Sequence, residues 1–330
     1  MGIVNLFKEY LFIVLVIILI IFVLNIFIPF LNPLVESFID YIGKIWWALL
    51  IGFLIGGFIN AFIPREYVYT YLGQKGKIVI LNAVLLGFLM SACSHGILAI
   101  AMALYKRGAS TSATLSFLLA APWANFVIML LFFSFFGSNA ILIIFGSFII
   151  AIISGLIFQV LERKNIIETG KKMRFKKISI LKDARKRIKG YSFSISDLKN
   201  MIRNSIDLVR MVLWWVLIGI LVASMIAAYV PESIMQIYLG PSLLGLFLTL
   251  VLGVVIEVCS EGSSPLAFEI YKKTGAFGNA FVFLNAGVAT DYTEIGLVAA
   301  NIGKKAALWM ILVTVPQILI LGYLFNIVTV

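Results

Sequence analysis

The sequence predicts an all-α polytopic membrane protein of about nine apolar segments, built as two four-segment internal repeats with broken helices. Three observations carry this. Of 330 residues, 62% are hydrophobic and 12% charged, with a mean hydropathy of +1.09, whereas a soluble domain is roughly 45–50% apolar and about 25% charged. Apolar runs near the roughly 20 residues that a bilayer demands recur along the whole chain. The chain also resembles itself at a spacing of 166–167 residues, the signature of a duplicated architecture. The same composition excludes disordered, collagen-like and disulfide-scaffold classes.

In order, the apolar runs fall at 10–31, 44–63, 78–105, 111–136, 138–160, 207–229, 243–271, 277–300 and 304–326. The first is too long for a signal-peptide core and no small-residue cleavage site follows it, so it reads as a retained span. From the second onward the pattern repeats. Trp47, Pro64, Tyr71-Leu72-Gly73 and Gly108 match Trp214, Pro231, Tyr238-Leu239-Gly240 and Gly275 at an offset of 167, and Cys93-Ser94-His95-Gly96 matches Cys259-Ser260-Glu261-Gly262 at 166. The expected organisation is an N-terminal helix and first loop over 1–43, repeat one over 44–160, a basic linker over 161–206 and repeat two over 207–330. Duplication on this scale is characteristic of transporters, whose substrate site lies between the repeats near the midplane. Four full crossings per repeat make the repeats parallel; one re-entrant hairpin in each inverts them.

The formal net charge of +11 looks at first like that of a nucleic-acid binder, but residues 161–206 carry 14 basic and 4 acidic residues and so hold almost all of it. In a membrane chain this is a cytoplasmic loop obeying the positive-inside bias, with no nucleic-acid partner. Localisation is then the cytoplasmic membrane. Lys171–Lys189 interleaves basic residues with Met173, Phe175, Ile178, Ile180, Leu181 and Ile188, a pattern suited to lying on anionic headgroups. With the N-terminus outside and nine crossings, 20 of 26 basic residues fall inside, but without the central 14 the division is 6 against 6. Only the side of the linker is fixed by charge on that topology.

Segments 78–105 and 243–271 are longer than a span requires, and each is interrupted midway by small polar residues. In Gly262-Ser263-Ser264-Pro265 the Ser is a plausible N-cap and the Pro a first helical residue; Ser91–Gly96 is a weaker version. A second interruption follows in each repeat, at Ala120–Asn125 and Ala286–Asp291. Breaks at membrane depth are tolerated only where protein or water covers them, and at matching places in two repeats they point to a binding site.

The candidate residues sit at these breaks. Cys93 and Cys259 stand beside expected helix starts, where the dipole favours the thiolate, a soft ligand for a thiophilic cargo. His95, the only His, aligns with Glu261, and His with Glu is a composition suited to proton relay. Glu257 and Glu261, four apart, would share a helix face and repel unless one takes up a proton or a cation intervenes. Asn125 aligns with Asp291, and Glu294 lies one turn further on. Glu269, before Lys272 and Lys273, reads as an interfacial charge. The pairs Trp46-Trp47 and Trp214-Trp215 read as aromatic-belt residues, and Asn82 and Asn285 as candidates for interhelical hydrogen bonds. No Walker motif, catalytic triad, metal-ligand cluster or cofactor signature is present, so the chain is not expected to be an enzyme and any gradient coupling would be to protons or ions.

Glu257-Val258-Cys259-Ser260-Glu261-Gly262-Ser263-Ser264-Pro265-Leu266, Cys93-Ser94-His95-Gly96, the Lys106-Arg107-Gly108-Ala109 turn and Leu118–Asn125 resemble the predicted-permease family that includes the organoarsenical efflux permeases. The resemblance covers residues 44–136 and 207–300. It implies an inner-membrane permease, some of whose relatives export trivalent organoarsenicals, with cysteines meeting the cargo. The expected function is therefore alternating-access movement of a small or metalloid solute. Cys93, Cys259, Ser94, Ser260, Asn125 and Ser263 would contact cargo, and His95, Glu257, Glu261 and Asp291 would handle protons or ions. The rival is an intramembrane thiol–disulfide protein, which requires the two cysteine Cα atoms to lie about 4.4–6.8 Å apart.

Overall fold

Polar backbone in a bilayer must be satisfied within its own segment, and the described residues obey this with helices alone. The computed structural model describes residues 2–62, 78–87, 94–106, 108–170, 195–256 and 259–329, and no strand occurs among them. The helices are α1 (Gly2–Phe27), α2 (Asn32–Phe62), α3 (Ile78–Gly87), α4 (Ser94–Lys106), α5 (Thr111–Ala120), α6 (Phe126–Phe136) and α7 (Ala140–Arg163). They continue with α8 (Ile195–Tyr229), α9 (Glu232–Leu239), α10 (Leu243–Ile256), α11 (Ser260–Thr274), α12 (Phe277–Thr290), α13 (Tyr292–Asn301) and α14 (Lys304–Val328). Five stretches are long and apolar enough to cross a membrane, or six when α9 and α10, bent by 99° at their junction, count as one. The chain is a multi-pass membrane protein.

Two expected boundaries move. Helix α2 starts at Asn32, where Pro33 fits a first turn that needs no N–H, so most of the expected first loop is helical. Helix α8 starts at Ile195, twelve residues before the apolar run, because its polar first turns, with Asp197 at the N-terminus, are good helix sequence without being membrane sequence. Residues 171–194, including Lys171–Lys189, lie outside the described residues.

Side-chain contacts fix the direction of each helix. Tyr10 stacks on Trp214 and Phe30 on Tyr229, so α1 runs parallel to α8. The Gly57 backbone of α2 lies against Ser205 of α8, while Tyr41 reaches Glu269, whose neighbour Lys273 bonds the far end of α8 at Ile226. Helices α2 and α8 are therefore antiparallel. Gln317 donates to Ser154 Oγ at 2.9 Å and Phe325 lies against Gly146, which makes α7 and α14 antiparallel as well.

Helices α10 and α12 run parallel, since Thr249 meets Asn279 and Gly253 meets Phe283. Helix α11 runs against α12 across a turn at Gly275, whose φ of +68° only glycine adopts at little cost. The chain thus reverses between α10 and α11, which together form a helical hairpin. In the first half, Thr111 and Ser112 meet Glu162 while Ser116 and Ile80 meet Gly155. Helix α5 is consequently antiparallel to α7 and runs beside α3.

Every residue of α5 and of α12 is buried, so these two are the central posts. Their partners approach through glycine. A Cβ on Gly278 would stand 1.8 Å from the Gly322 carbonyl oxygen, and one on Gly155 would stand 1.9 Å from Ser116 Oγ. Where lipid is as apolar as the helices, close backbone packing is the main attraction available. One short segment ties the start of the post α5 to the start of α14. Glu162 accepts from the Thr111 and Ser112 amides at 3.1 and 3.2 Å, and Glu168 from those of Lys305 and Ala306 at 3.2 and 2.9 Å. Carboxylates here satisfy orphan N–H groups at the positive ends of α5 and α14.

Gly278→Ala should cost about 1–3 kcal/mol by overpacking. Gly296→Ala, where an added Cβ meets nothing within 4 Å, should be neutral or stabilising by up to about 1 kcal/mol. Thermal unfolding of the two variants in detergent compares them directly.

Candidate functional site

The hairpin of α10 and α11 brings polar sequence into an apolar body, and the start of α11 is held by local bonds. Cys259 is extended (φ −170°, ψ 154°) and acts as N-cap of α11, its Sγ accepting from the Gly262 amide at 3.4 Å and its carbonyl from the Ser263 amide at 2.9 Å. Ser264 Oγ bonds back to the Ser260 carbonyl at 2.7 Å. The break therefore falls between Ile256 and Ser260, earlier than the Ser263–Pro265 start that the sequence predicts. Pro265 sits inside α11. Having no N–H, it leaves the Glu261 carbonyl without its helical donor, so the first turn of α11 keeps spare polar capacity.

The second interruption of the first half falls as predicted, whereas that of the second half is confined to Asp291, because Ala286–Thr290 stay helical. Helix α5 gives way to a 3-10 turn over Ala121–Ala124, and Asn125 (ψ 127°) caps α6 with its Oδ1 accepting from the Val127 amide at 3.0 Å. Helix α12 ends at Thr290, and Asp291 (ψ 136°) caps α13 with its Oδ1 accepting from the Thr293 amide at 3.1 Å and its Oδ2 from the Thr293 hydroxyl. Asx side chains are suited to this because their oxygen reaches an amide two residues on.

The two kinds of break meet. Asn125 Nδ2 donates to Glu261 Oε1 at 3.0 Å, with both residues at most 2% exposed. The capping bond fixes which end of the Asn125 amide points where: the oxygen is committed to Val127, so the nitrogen faces the acid. Glu261 Oε2 is buried and accepts no hydrogen bond among the described residues. The Cys259 side chain is next to the same carboxyl. Ser260 and Ser263 are buried in the same turn.

Helix α8 closes over this turn without room to spare. A Cβ on Gly219 would stand 1.9 Å from the Gly262 carbonyl oxygen, and one on Gly262 would stand 2.9 Å from that of Trp215. Beside this crossing lies a small cleft of about 30 Å³ lined by Trp215, Gly219, Val222, Ile256, Ser263 and Leu266. That is about the volume of one water, but the lining is almost wholly apolar.

Of the predicted site residues, Asn125, Cys259, Ser260, Glu261 and Ser263 are brought together. Asp291 is buried at the other break, with Glu294 also buried one turn on. Ser94 and His95 begin α4, but their side chains lie outside the described residues, as do Cys93 and Glu257 entirely. The cysteine pair required by a thiol–disulfide mechanism is therefore not placed by the structure.

Three readings from sequence need correction. Glu269 is not an interfacial charge: it is fully buried, against Tyr41 and Lys273. Its position five residues from the end of α11 hid this, because burial there comes from α2 and α6, which no local pattern announces. Trp214 and Trp215 are not belt residues like the exposed Trp46 and Trp47: Trp214 is buried beneath Tyr10 and Trp215 lines the cleft. Asn285 bonds the Phe281 carbonyl of its own helix at 3.1 Å. Gly219 and Gly262 were missed, although a glycine on each of two apolar helices is the signal that could have found them.

Residues 31–327 match the ArsP_1 family, described as Predicted permease. A UPF0718 protein of Methanocaldococcus jannaschii is 22% identical over 93% of this chain and 98% of its own length. A putative two-component membrane permease complex subunit of Streptococcus mutans is 24% identical over 75% of this chain and 79% of its own, and a UPF0718 protein of Bacillus subtilis 23% identical over 84% and 90%. No solved structure matches the chain. With nearly the whole bundle inside the match, this chain belongs to the ArsP_1 family of predicted permeases.

Proposed function

We propose that this protein moves a small solute across the cytoplasmic membrane by alternating access between two inverted repeats, with the buried Asn125–Glu261 contact at their meeting point. That contact is the observation that carries the reading. It joins the re-entrant hairpin of one half to the broken helix of the other, and it leaves a carboxyl oxygen open at membrane depth. An ionisable group held there is costly and marks a pathway or relay.

Duplication is supported by special positions that recur at 166 or 167 residues. Gly108 and Gly275 both have positive φ, as do Gly137 and Gly303. Asn125 and Asp291 both cap a helix after a break. Gly155 packs on Ile80 and Ser116, and Gly322 on the equivalent Leu246 and Val282. Inversion is supported by direction, since the related pairs α2 with α8 and α7 with α14 are antiparallel.

Each repeat then contributes three crossings and one hairpin, the hairpins entering from opposite faces, and α1 brings the crossings to seven. This arrangement also makes better sense of the charge. Of the eight basic residues outside 161–206 that fall among the described residues, only Lys44, Lys272 and Lys273 lie nearest the outer face, as the positive-inside bias expects.

In operation, cargo binds where the Asn125–Glu261 contact parts, and Glu261 exchanges a proton as it loses and regains its donor. The family resemblance and the Cys259 side chain beside Glu261 support a thiophilic cargo such as a trivalent organoarsenical, exported against its gradient by inward proton flow.

A reporter fused at the C-terminal end should read periplasmic and one at the N-terminus cytoplasmic; the nine-crossing arrangement requires the reverse. Everted vesicles should accumulate methylarsenite or a related thiophilic species when a proton gradient is imposed, and accumulation of none across a panel that includes arsenite would falsify the cargo class. Glu261→Gln keeps the donor contact but removes the ionisable group, and should reduce gradient-driven uptake about tenfold or more, ~1.4 kcal/mol or more of coupling. Asn125→Ala should reduce uptake similarly and also destabilise by about 0.5–2 kcal/mol through the lost cap.

A further inference from the structure

Helix α11 runs from the Asn125–Glu261 contact toward the end of the bundle that the proposed topology places outside, and about two turns along it a second buried polar contact crosses between the halves. Tyr41 of α2 donates its hydroxyl to Glu269 Oε2, with both residues at most 1% exposed. The other oxygen of Glu269 is paired with the Lys273 ammonium at 3.9 Å. Lys273 gives its hydrogen bonds to the carbonyls of Ile226, Ala227 and Val230 at 2.7, 3.0 and 2.5 Å. The last carbonyls of a helix are a favourable place for a cation, and the adjacent carboxyl offsets the cost of burying it. Lys273 thereby braces α11 against α8 of the same half, while Tyr41 and Glu269 join α11 to the other half.

An aromatic seam accompanies this contact. Phe268 stacks on Phe135 of α6 at 5.1 Å, and Tyr41 presents its ring edge-on to both. Because α6 begins beside Asn125, which holds Glu261, α11 lies against the first half from the tip of the hairpin to its outer end. At the inner end the two halves meet differently: the Gly57 backbone of α2 lies so close to α8 that a Cβ there would stand 1.9 Å from Ser205 Oγ. At offsets of 166 and 167 residues stand Ala103 in place of Glu269 and Leu208 in place of Tyr41, so the polar crossing belongs to one end of the molecule.

We infer that Tyr41 and Glu269, with the Phe135–Phe268 stack, form the gate that closes the pathway on its outer side, and that α11 leaves the first half together with α8 when the gate opens. The inference rests on the alternating-access reading and deepens it. Helix α11 is continuous from Ser260 to Thr274, so one displacement parts both Asn125 from Glu261 and Tyr41 from Glu269. The three bonds of Lys273 persist through it, and the close contact of Gly57 with Ser205 is the pivot. A polar pair suits a gate for a physical reason. Closed, the hydroxyl and carboxyl satisfy each other; open, outer water satisfies both; half-open, neither is satisfied, which is costly in an apolar body. The seam therefore has two favoured positions with a penalty between them, the property that a switching element needs.

The test uses the full chain in right-side-out and inverted membrane vesicles, with Cys93 and Cys259 replaced by Ser and with Ser263→Cys, at a position 3% exposed beside the hairpin tip, as reporter. A membrane-impermeant maleimide is applied to each face. Tyr41→Phe keeps the ring but not the hydroxyl, and should raise the labelling rate from the outer face about three- to tenfold, the range set by one lost hydrogen bond. Phe135→Leu, which weakens the stack, should act in the same direction. Phe281→Leu removes a comparable ring contact inside the second half, with Phe325 at 4.8 Å, and should leave the outer rate unchanged. A merely structural role for Tyr41 and Phe135 lowers the melting temperature in detergent without moving the outer rate. An outer rate unchanged by Tyr41→Phe and Phe135→Leu, or raised as much by Phe281→Leu, overturns the gate. If the reporter is then still reached from both faces, the alternating-access reading stands without it; a reporter reached from neither face overturns both.

Discussion

A broken helix inside a bilayer leaves amide and carbonyl groups that no water can reach, and this constraint organises the molecule. Among the described residues, three breaks are sealed by side chains of their own chain: Cys259 caps α11, Asn125 caps α6 and Asp291 caps α13. Asn125 does more than seal. Its remaining amide protons are available to a partner, and Glu261 from the other half takes one at 3.0 Å. The bond that stabilises one break therefore also depends on where the other half stands. This is how a local requirement of backbone chemistry becomes a contact sensitive to the relative position of two halves.

Packing around that contact is set by glycine. Gly219 against Gly262 and Gly278 against Gly322 bring backbones together with no space for a methyl group. Such seams offer large contact area without interlocking side chains, so neighbouring helices are held closely but have smooth faces. The capping acids Glu162 and Glu168 and the Lys273 ammonium tie helix ends at opposite faces of the bundle. The central posts α5 and α12 are wholly buried between these ties. Polar bonds at the ends and glycine seams in the middle are a combination suited to small sliding or rocking motions, in which the bonds that break are few and identifiable.

Much of this was legible in the sequence because it is written in local patterns. The apolar runs, the second interruptions at Asn125 and Asp291, and the placement of Cys259 and Glu261 in one turn all follow from composition and punctuation. The start of α11 was displaced by several residues because Ser263-Ser264-Pro265 imitates a helix start, whereas a proline in the second turn is tolerated when water or protein satisfies the carbonyl it abandons. Helix direction was not legible, since it rests on contacts such as Gly57 with Ser205 and Gln317 with Ser154 that join residues far apart in sequence. The burial of Glu269 was hidden for the same reason: its neighbours in sequence are charged, while its neighbours in space are Tyr41 and aromatic rings.

The central claim is that the hairpin of one half and the break of the other meet at residues 261 and 125 and must separate during each cycle. Cysteines placed at Asn125 and Glu261, in a chain with Cys93 and Cys259 replaced by Ser, can be bridged by a short cross-linker that reduction cleaves. The account predicts ready intramolecular cross-linking, arrest of conformational exchange measured as loss of two-sided labelling of pathway cysteines, and recovery of that labelling on reduction. Ready cross-linking that leaves exchange unaltered would contradict it, as would failure of the two positions to cross-link at all.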